Sequence, residues 1–167
     1  MDDLWSTAGN WNGGIPSVGQ DIVFNSAYSD NDSSNVDSTI TINSLDIQNT
    51  WTGALTLSNP LTVTNDLTLG TGSTLNAAGN AITIGGDWEN AGTFTHGNNT
   101  VTLTGTSNTI TSGGDAFYGL TINGSYSLAD ALAVAGKSWH IRYAERRGKG
   151  HKFGGRLGEY RHVYTRQ

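Results

Sequence analysis

Asp87, Glu89, His96 and Asp115 are the residues of this chain whose types could do acid–base chemistry. A carboxylic acid and a carboxylate, or a histidine beside one, can cleave a glycosidic bond by donating and accepting protons. Polysaccharide cleavage through an anionic intermediate also needs a cation to hold the developing charge. The sequence places none nearby. All nine Lys and Arg lie at or after Lys137, and residues 1–136 carry twelve acids with no Lys or Arg. His96 stands in Thr95-His96-Gly97, which reads as a structural turn. The expectation is a chain that is not an enzyme, with no catalytic residue and no cofactor.

Two further groups of residues could bind ligands. Asp30-Asn31-Asp32-Ser33-Ser34-Asn35-Val36-Asp37 brings three carboxylates into one short segment. Calcium prefers such oxygen clusters, but the central Gly and the terminal bidentate Glu of an EF-hand loop are absent. The competing reading of Asp30, Asp32 and Asp37 is a solvated loop, and no metal site is assigned. Trp5, Trp11, Trp51 and Trp88 could stack on sugar rings. Large aromatic side chains also dominate core energetics, so these four are expected to cap an end or fill corners. There is no cysteine, which removes thiolate metal sites and cysteine nucleophiles.

The elements that must carry these residues are strands. From Ile40 to Val134, apolar residues recur two apart with Thr or another small residue between them. The pairs are Ile40/Ile42, Leu45/Ile47, Leu55/Leu57, Leu61/Val63, Leu67/Leu69, Ile82/Ile84, Val101/Leu103, Leu120/Ile122 and Leu132/Val134. A period of two marks a strand with one buried face. Asn65-Asp66, Gly79-Asn80 and Gly113-Gly114-Asp115 punctuate the runs with residues that accept turn geometry. No segment of residues 1–136 has helical periodicity. Similar strand pairs return about every 17–21 residues, as in Val63, Ile84, Leu103 and Ile122, which is close to one coil of a solenoid. In such a fold each coil buries little by itself and neighbours supply the stability. Residues 45–64 also return loosely from Leu120 onward, as a longer repeat over the coils.

Two segments add a resemblance. Trp5-Ser-Thr-Ala-Gly-Asn-Trp11-Asn-Gly-Gly-Ile-Pro16, followed by Asp21-Ile-Val-Phe24, resembles the opening module of bacterial autotransporter-like surface proteins. Asp87-Trp-Glu-Asn-Ala-Gly-Thr-Phe-Thr-His-Gly97, followed by Val101-Thr-Leu-Thr-Gly105, resembles repeats of haemagglutinin-type adhesins. The resemblance implies an all-β fold, a right-handed parallel β-helix, with export and a role in adhesion or the cell envelope. It also implies a longer parent protein, so the absence of a signal peptide reads as truncation and the expected location is extracellular or at the cell surface. Cell-surface glycans or extracellular matrix polymers are the expected partners. Nucleic acid is not, because a cation-free acidic body cannot hold a phosphate backbone. No apolar run reaches the roughly 18 residues of a membrane span.

Three segments result: a cap over residues 1–39, solenoid coils over 40–136 and a basic tail over 137–167. The tail has a different chemistry from the body. Reading its codons one base later turns Leu157 and its successors into a near copy of the stretch from Trp88, and Ala144 into a counterpart of Leu75. Both correspondences have the same offset of 69 residues. The tail is therefore expected to be a repeat read out of frame, without selected function and unable to extend the core. Strands are expected to end near Val134.

Overall fold

The computed structural model describes residues 3–27, 33–136, 139–141 and 144–146. They form a parallel β-solenoid, with strands assigned in turn to its faces. The first face is a seven-stranded sheet of β1 (Asp21–Phe24), β4 (Ser44–Ile47), β7 (Leu67–Leu69), β10 (Trp88–Asn90), β13 (Thr106–Thr111), β16 (Ser125–Leu128) and β19 (Ala144–Arg146). The second is a six-stranded sheet of β3 (Ile40–Ile42), β6 (Leu61–Val63), β9 (Ile82–Ile84), β12 (Thr100–Leu103), β15 (Gly119–Ile122) and β18 (Trp139–Ile141). The third holds β2 (Ser34–Val36), β5 (Ala54–Leu57), β8 (Thr74–Asn76) and β11 (Thr93–Thr95), and then a separate pair, β14 (Ala116–Phe117) and β17 (Ala133–Val134). Within each sheet a strand therefore pairs with the strand three places later in the chain. One coil takes between 17 residues (Ala116 to Ala133) and 23 (Ile22 to Leu45).

Register explains the sequence pattern. Ile42, Val63, Ile84, Leu103 and Ile122 are successive partners across the second sheet, and all five are buried. Each such side chain contributes roughly 1.5–3 kcal/mol on leaving water. The intervening residues Thr41, Thr62, Thr83, Thr102 and Thr121 form a second rank in the same register. These threonines are half-buried, and β-branching suits them to a pleated outer surface. A one-residue slip would turn the apolar rank outward, so burial fixes the register.

The corner after the second sheet is closed by glycine. A Cβ on Gly85 would lie 2.1 Å from the Thr64 carbonyl oxygen, one on Gly105 2.0 Å from that of Gly85, and one on Gly124 1.8 Å from that of Gly105. Successive coils thus touch through bare backbone at this corner. Tyr126 locks the same place: its hydroxyl accepts the Gly105 amide at 2.9 Å and donates to the Gly86 carbonyl at 3.1 Å.

Coil pairing extends beyond the expected boundaries at both ends. β1 and β2, inside the expected cap, already pair with β4 and β5. The structural cap is shorter: the Trp5 amide donates to Asn35 and the Asn35 amide to Asp3, covering the β2 edge. Trp5, Trp11 and Phe24 pack together beneath it, with Trp5 edge-on to Trp11 at 5.2 Å. At the other end strands do not stop near Val134, because β18 and β19 continue two of the sheets. In β18 the sequence Trp139-His140-Ile141 repeats the alternation of Leu120-Thr121-Ile122, its register partners, and in β19 the pairing is one of backbone groups. The frame-shift correspondence at Leu157 lies outside the described residues.

Replacing Gly105 with Ala should cost about 1–3 kcal/mol, because the new methyl meets a carbonyl that cannot move without displacing a coil. Gly9 has open space where a Cβ would go, so Gly9→Ala should be close to neutral. Urea denaturation of the two variants beside the parent chain measures the difference.

Candidate functional site

Asp87, Asp115 and His96 are each engaged in hydrogen bonds of the fold. Asp87 lies on the corner before β10, where its Oδ1 accepts the Thr109 amide of the next coil at 2.7 Å. Its own amide donates to Asp66 Oδ1 of the preceding coil at 2.8 Å. The Asp115 carboxylate turns back by one coil, accepting the Phe94 amide at 2.6 Å and the Asn90 side-chain amide at 3.0 Å. It bridges the break where β11 and β14 are not paired. His96 makes a local turn: Nδ1 accepts the Asn98 amide at 2.9 Å, and the ring lies 5.5 Å from that of Tyr118. Asn98 has a φ of 68°, and Gly97 one of 56°, as that turn requires.

The same use of carboxylates recurs along the chain. Asp130 accepts the amides of Ser112 and Gly113 at 2.9 and 2.8 Å, and the Ser112 hydroxyl at 3.0 Å. Asp21 accepts from the Asn43 side-chain amide and the Ser44 hydroxyl of the next coil, both at 2.6 Å. These two donors hold the Asp21 carboxyl below the ordinary carboxylate range. Sequence reading missed this role because a partner 17 to 25 residues away is visible only once the register is known.

Of the three carboxylates considered for calcium, Asp37 is bound elsewhere and Asp30 and Asp32 lie outside the described residues. Asp37 clamps the cap, accepting the Ser6 hydroxyl and, at 2.9 Å, the Ser6 amide. The hydroxyl is the main cause of a lowered Asp37 pKa. Among the described residues no three His, Asp or Glu side chains converge as metal ligands.

Trp5, Trp11, Trp51 and Trp88 pack against the core. Trp5, Trp51 and Trp88 are at most 1 % exposed, and Trp11 packs against the core with its indole N–H on the Trp5 carbonyl at 3.1 Å. Trp51 stacks on Phe24 at 4.7 Å, and Trp88, Phe94 and Phe117 form a second cluster with rings 4.9–5.7 Å apart. These contacts occupy the ring faces that a sugar would use.

One surface feature was not foreseen. Asp46, Thr68, Glu89 and Thr111 are successive partners on the outside of the seven-stranded sheet. They lie in a shallow groove of about 550 Å³, bordered by Gln48, Asn49 and Thr71. The strands of Asp46 and Glu89 are two spacings apart, about 9.6 Å across the sheet. The signal was present in Leu45-Asp46-Ile47, Leu67-Thr68-Leu69 and Trp88-Glu89-Asn90, whose central residues share one rank.

The Asp37 clamp sets a pH dependence for the cap. A carboxyl with a lowered native pKa stabilises the fold fully above its unfolded value, about 3.9, and loses that contribution as pH falls through the native value. Thermal unfolding followed by tryptophan fluorescence should therefore show a cap weakened below about pH 4. Asp37→Asn should lower the melting temperature at neutral pH and flatten its dependence on acid.

Comparison with protein-family models, with curated proteins and with solved structures finds no match for this chain.

Proposed function

We propose that this chain is a non-catalytic repeat module, a structural or adhesive segment of a secreted or surface-displayed bacterial protein. The observation that carries this reading is the placement of its carboxylates. Asp66, Asp87, Asp115 and Asp130 accept backbone amides from another coil, and Asp37 accepts one from the cap. Asp87 and Asp115, two of the acids considered for proton transfer, are thereby engaged in joining coils. The burial of Trp5, Trp51 and Trp88 supports the same reading, since aromatic platforms for sugars need exposed ring faces. A stiff rod of stacked coils suits a spacer that presents or carries other surfaces. The resemblance of Trp5–Phe24 and Trp88–Gly105 to modules of autotransporter-like and haemagglutinin-type proteins gives the proposed setting, export and the cell surface. Glycans or matrix polymers are the partners that this setting suggests.

The groove on the seven-stranded sheet favours a second reading, a carbohydrate-binding or polysaccharide-cleaving β-helix. Asp46 and Glu89 flank Thr68 there, with amide and hydroxyl groups alongside. Two carboxylates two coils apart, with a hydroxyl between them, are the residue types such chemistry uses.

The full chain should release no product from pectin, neutral glycans or ester substrates. It should bind no polymer on a polysaccharide array in a way that Glu89→Ala or Asp46→Ala removes. Turnover that disappears in Glu89→Ala or His96→Ala would replace the first reading with the second.

A further inference from the structure

The sequence has two Asn-Gly dipeptides, Asn12-Gly13 and Asn123-Gly124. This is the pair of residues most prone to spontaneous loss of the side-chain amide, because glycine puts no side chain in the way of ring closure. The structure gives the two sites opposite surroundings.

Asn12, Gly13 and Gly14 are exposed on the loop between Trp11 and Ser17. Gly13 and Gly14 have φ angles of 127° and 95°, and a Cβ built on either meets nothing within 4 Å. Among the described residues, no backbone N–H or C=O from 12 to 16 takes part in a backbone hydrogen bond. The last such bond before the loop is from Trp11 to Ala8, at 3.3 Å. The next anchor is the Ser17 amide, which donates to Gln20 Oε1 at 2.8 Å. The Gly13 nitrogen is thus available as a nucleophile, and the Asn12 backbone can rotate to meet it.

Asn123 lies between β15 and β16, in the ladder itself. Its amide donates to the Leu103 carbonyl at 2.8 Å, and the Ser125 amide donates to that of Gly105 at 3.0 Å. Gly124 is buried against the Gly105 carbonyl, where even a methyl group has no room. Bringing the Gly124 nitrogen onto the Asn123 side chain requires this corner of the ladder to open, and closed ladder segments open only by local unfolding.

We infer that Asn12 is a self-modification site in the N-terminal cap, and that Asn123 is protected by the fold. The deprotonated Gly13 nitrogen attacks Asn12 Cγ, the Cγ–Nδ2 bond breaks, and the nitrogen leaves as ammonia. The resulting five-membered succinimide then takes up water. Opening at one carbonyl gives aspartate, and opening at the other gives isoaspartate, with the chain continuing through the side-chain carbon. No oxidant or enzyme is required. Either product adds a carboxylate to the groove of about 580 Å³ that Asn12, Gly13 and Gly14 line together with Asp21. The change makes an already acidic end more negative, and isoaspartate also lengthens the loop that follows Trp11.

The full chain, held at mildly alkaline pH and sampled over time, tests this by peptide mapping with a method that separates aspartate from isoaspartate. A parallel sample is kept unfolded in urea. In the folded chain Asn12 should convert several-fold faster than Asn123, with isoaspartate among the products, while in urea the two should convert at similar rates. Asn12→Gln, which cannot close the five-membered ring, should lack the acidic species that appears first on anion exchange. The inference is overturned if Asn123 keeps pace with Asn12 in the folded chain. It is equally overturned if Asn12 stays intact when folded yet reacts in urea.

Discussion

The in-register parallel backbone ladder is the interaction on which this structure depends. Every described strand takes its partner from the previous or the next coil, 17 to 23 residues along the chain. Once that register is set, each position of a coil faces the same position of its neighbours. Apolar residues must then stack inside, as Leu45, Leu67, Trp88 and Ile110 do, and small β-branched residues can line the outside. Where coils approach most closely, only a glycine backbone fits, which accounts for the Gly85, Gly105 and Gly124 stack.

A ladder of this kind leaves unpaired amides wherever a strand bends out of a sheet, and an unpaired buried amide costs about 1–3 kcal/mol. The chain meets that requirement with carboxylates. Phe94 at the end of the four-stranded sheet donates to Asp115, and Ser112 and Gly113 donate to Asp130. Hydrogen bonds with one ionised partner are shorter and stronger than neutral ones, and the 2.6 Å bond from Phe94 to Asp115 is of that type. Among the described residues, the partners of these acids are hydrogen-bond donors. Asp21, Asp37, Asp66, Asp87, Asp115 and Asp130 are thus part of the structure's own hydrogen bonding.

Much of the fold was legible in the sequence because burial imposes a period of two and the coil imposes a second, longer period. The series Val63, Ile84, Leu103 and Ile122 is one stack of the second sheet. The interior of Trp88-Glu89-Asn90 was less legible, since Asn90 occupies an inward position that elsewhere holds Ile47 or Leu69. It is tolerated at 2 % exposure because its side-chain amide reaches the Ser112 carbonyl and Asp115. The start of the ladder at Asp21 was hidden for a different reason. Asp21-Ile22-Val23-Phe24 alternates properly, but a sequence rich in Ser, Asn and Asp, from Asn25 to Ser38, separates it from the regular repeats. The candidate site was the least legible, because a rank such as Asp46, Thr68 and Glu89 is assembled from three coils.

The central claim, that carboxylates join coils and do not form a reaction centre, is tested most directly by chemical denaturation of Asp115→Ala beside Glu89→Ala. Asp115→Ala should lower stability by about 1–3 kcal/mol, because it leaves the Phe94 amide and the Asn90 side chain without their acceptor. Glu89→Ala, at an exposed position on the outer rank, should stay within about 0.5 kcal/mol of the parent. An Asp115→Ala chain as stable as the parent would contradict the claim and return Asp115 to the residues whose role is chemical.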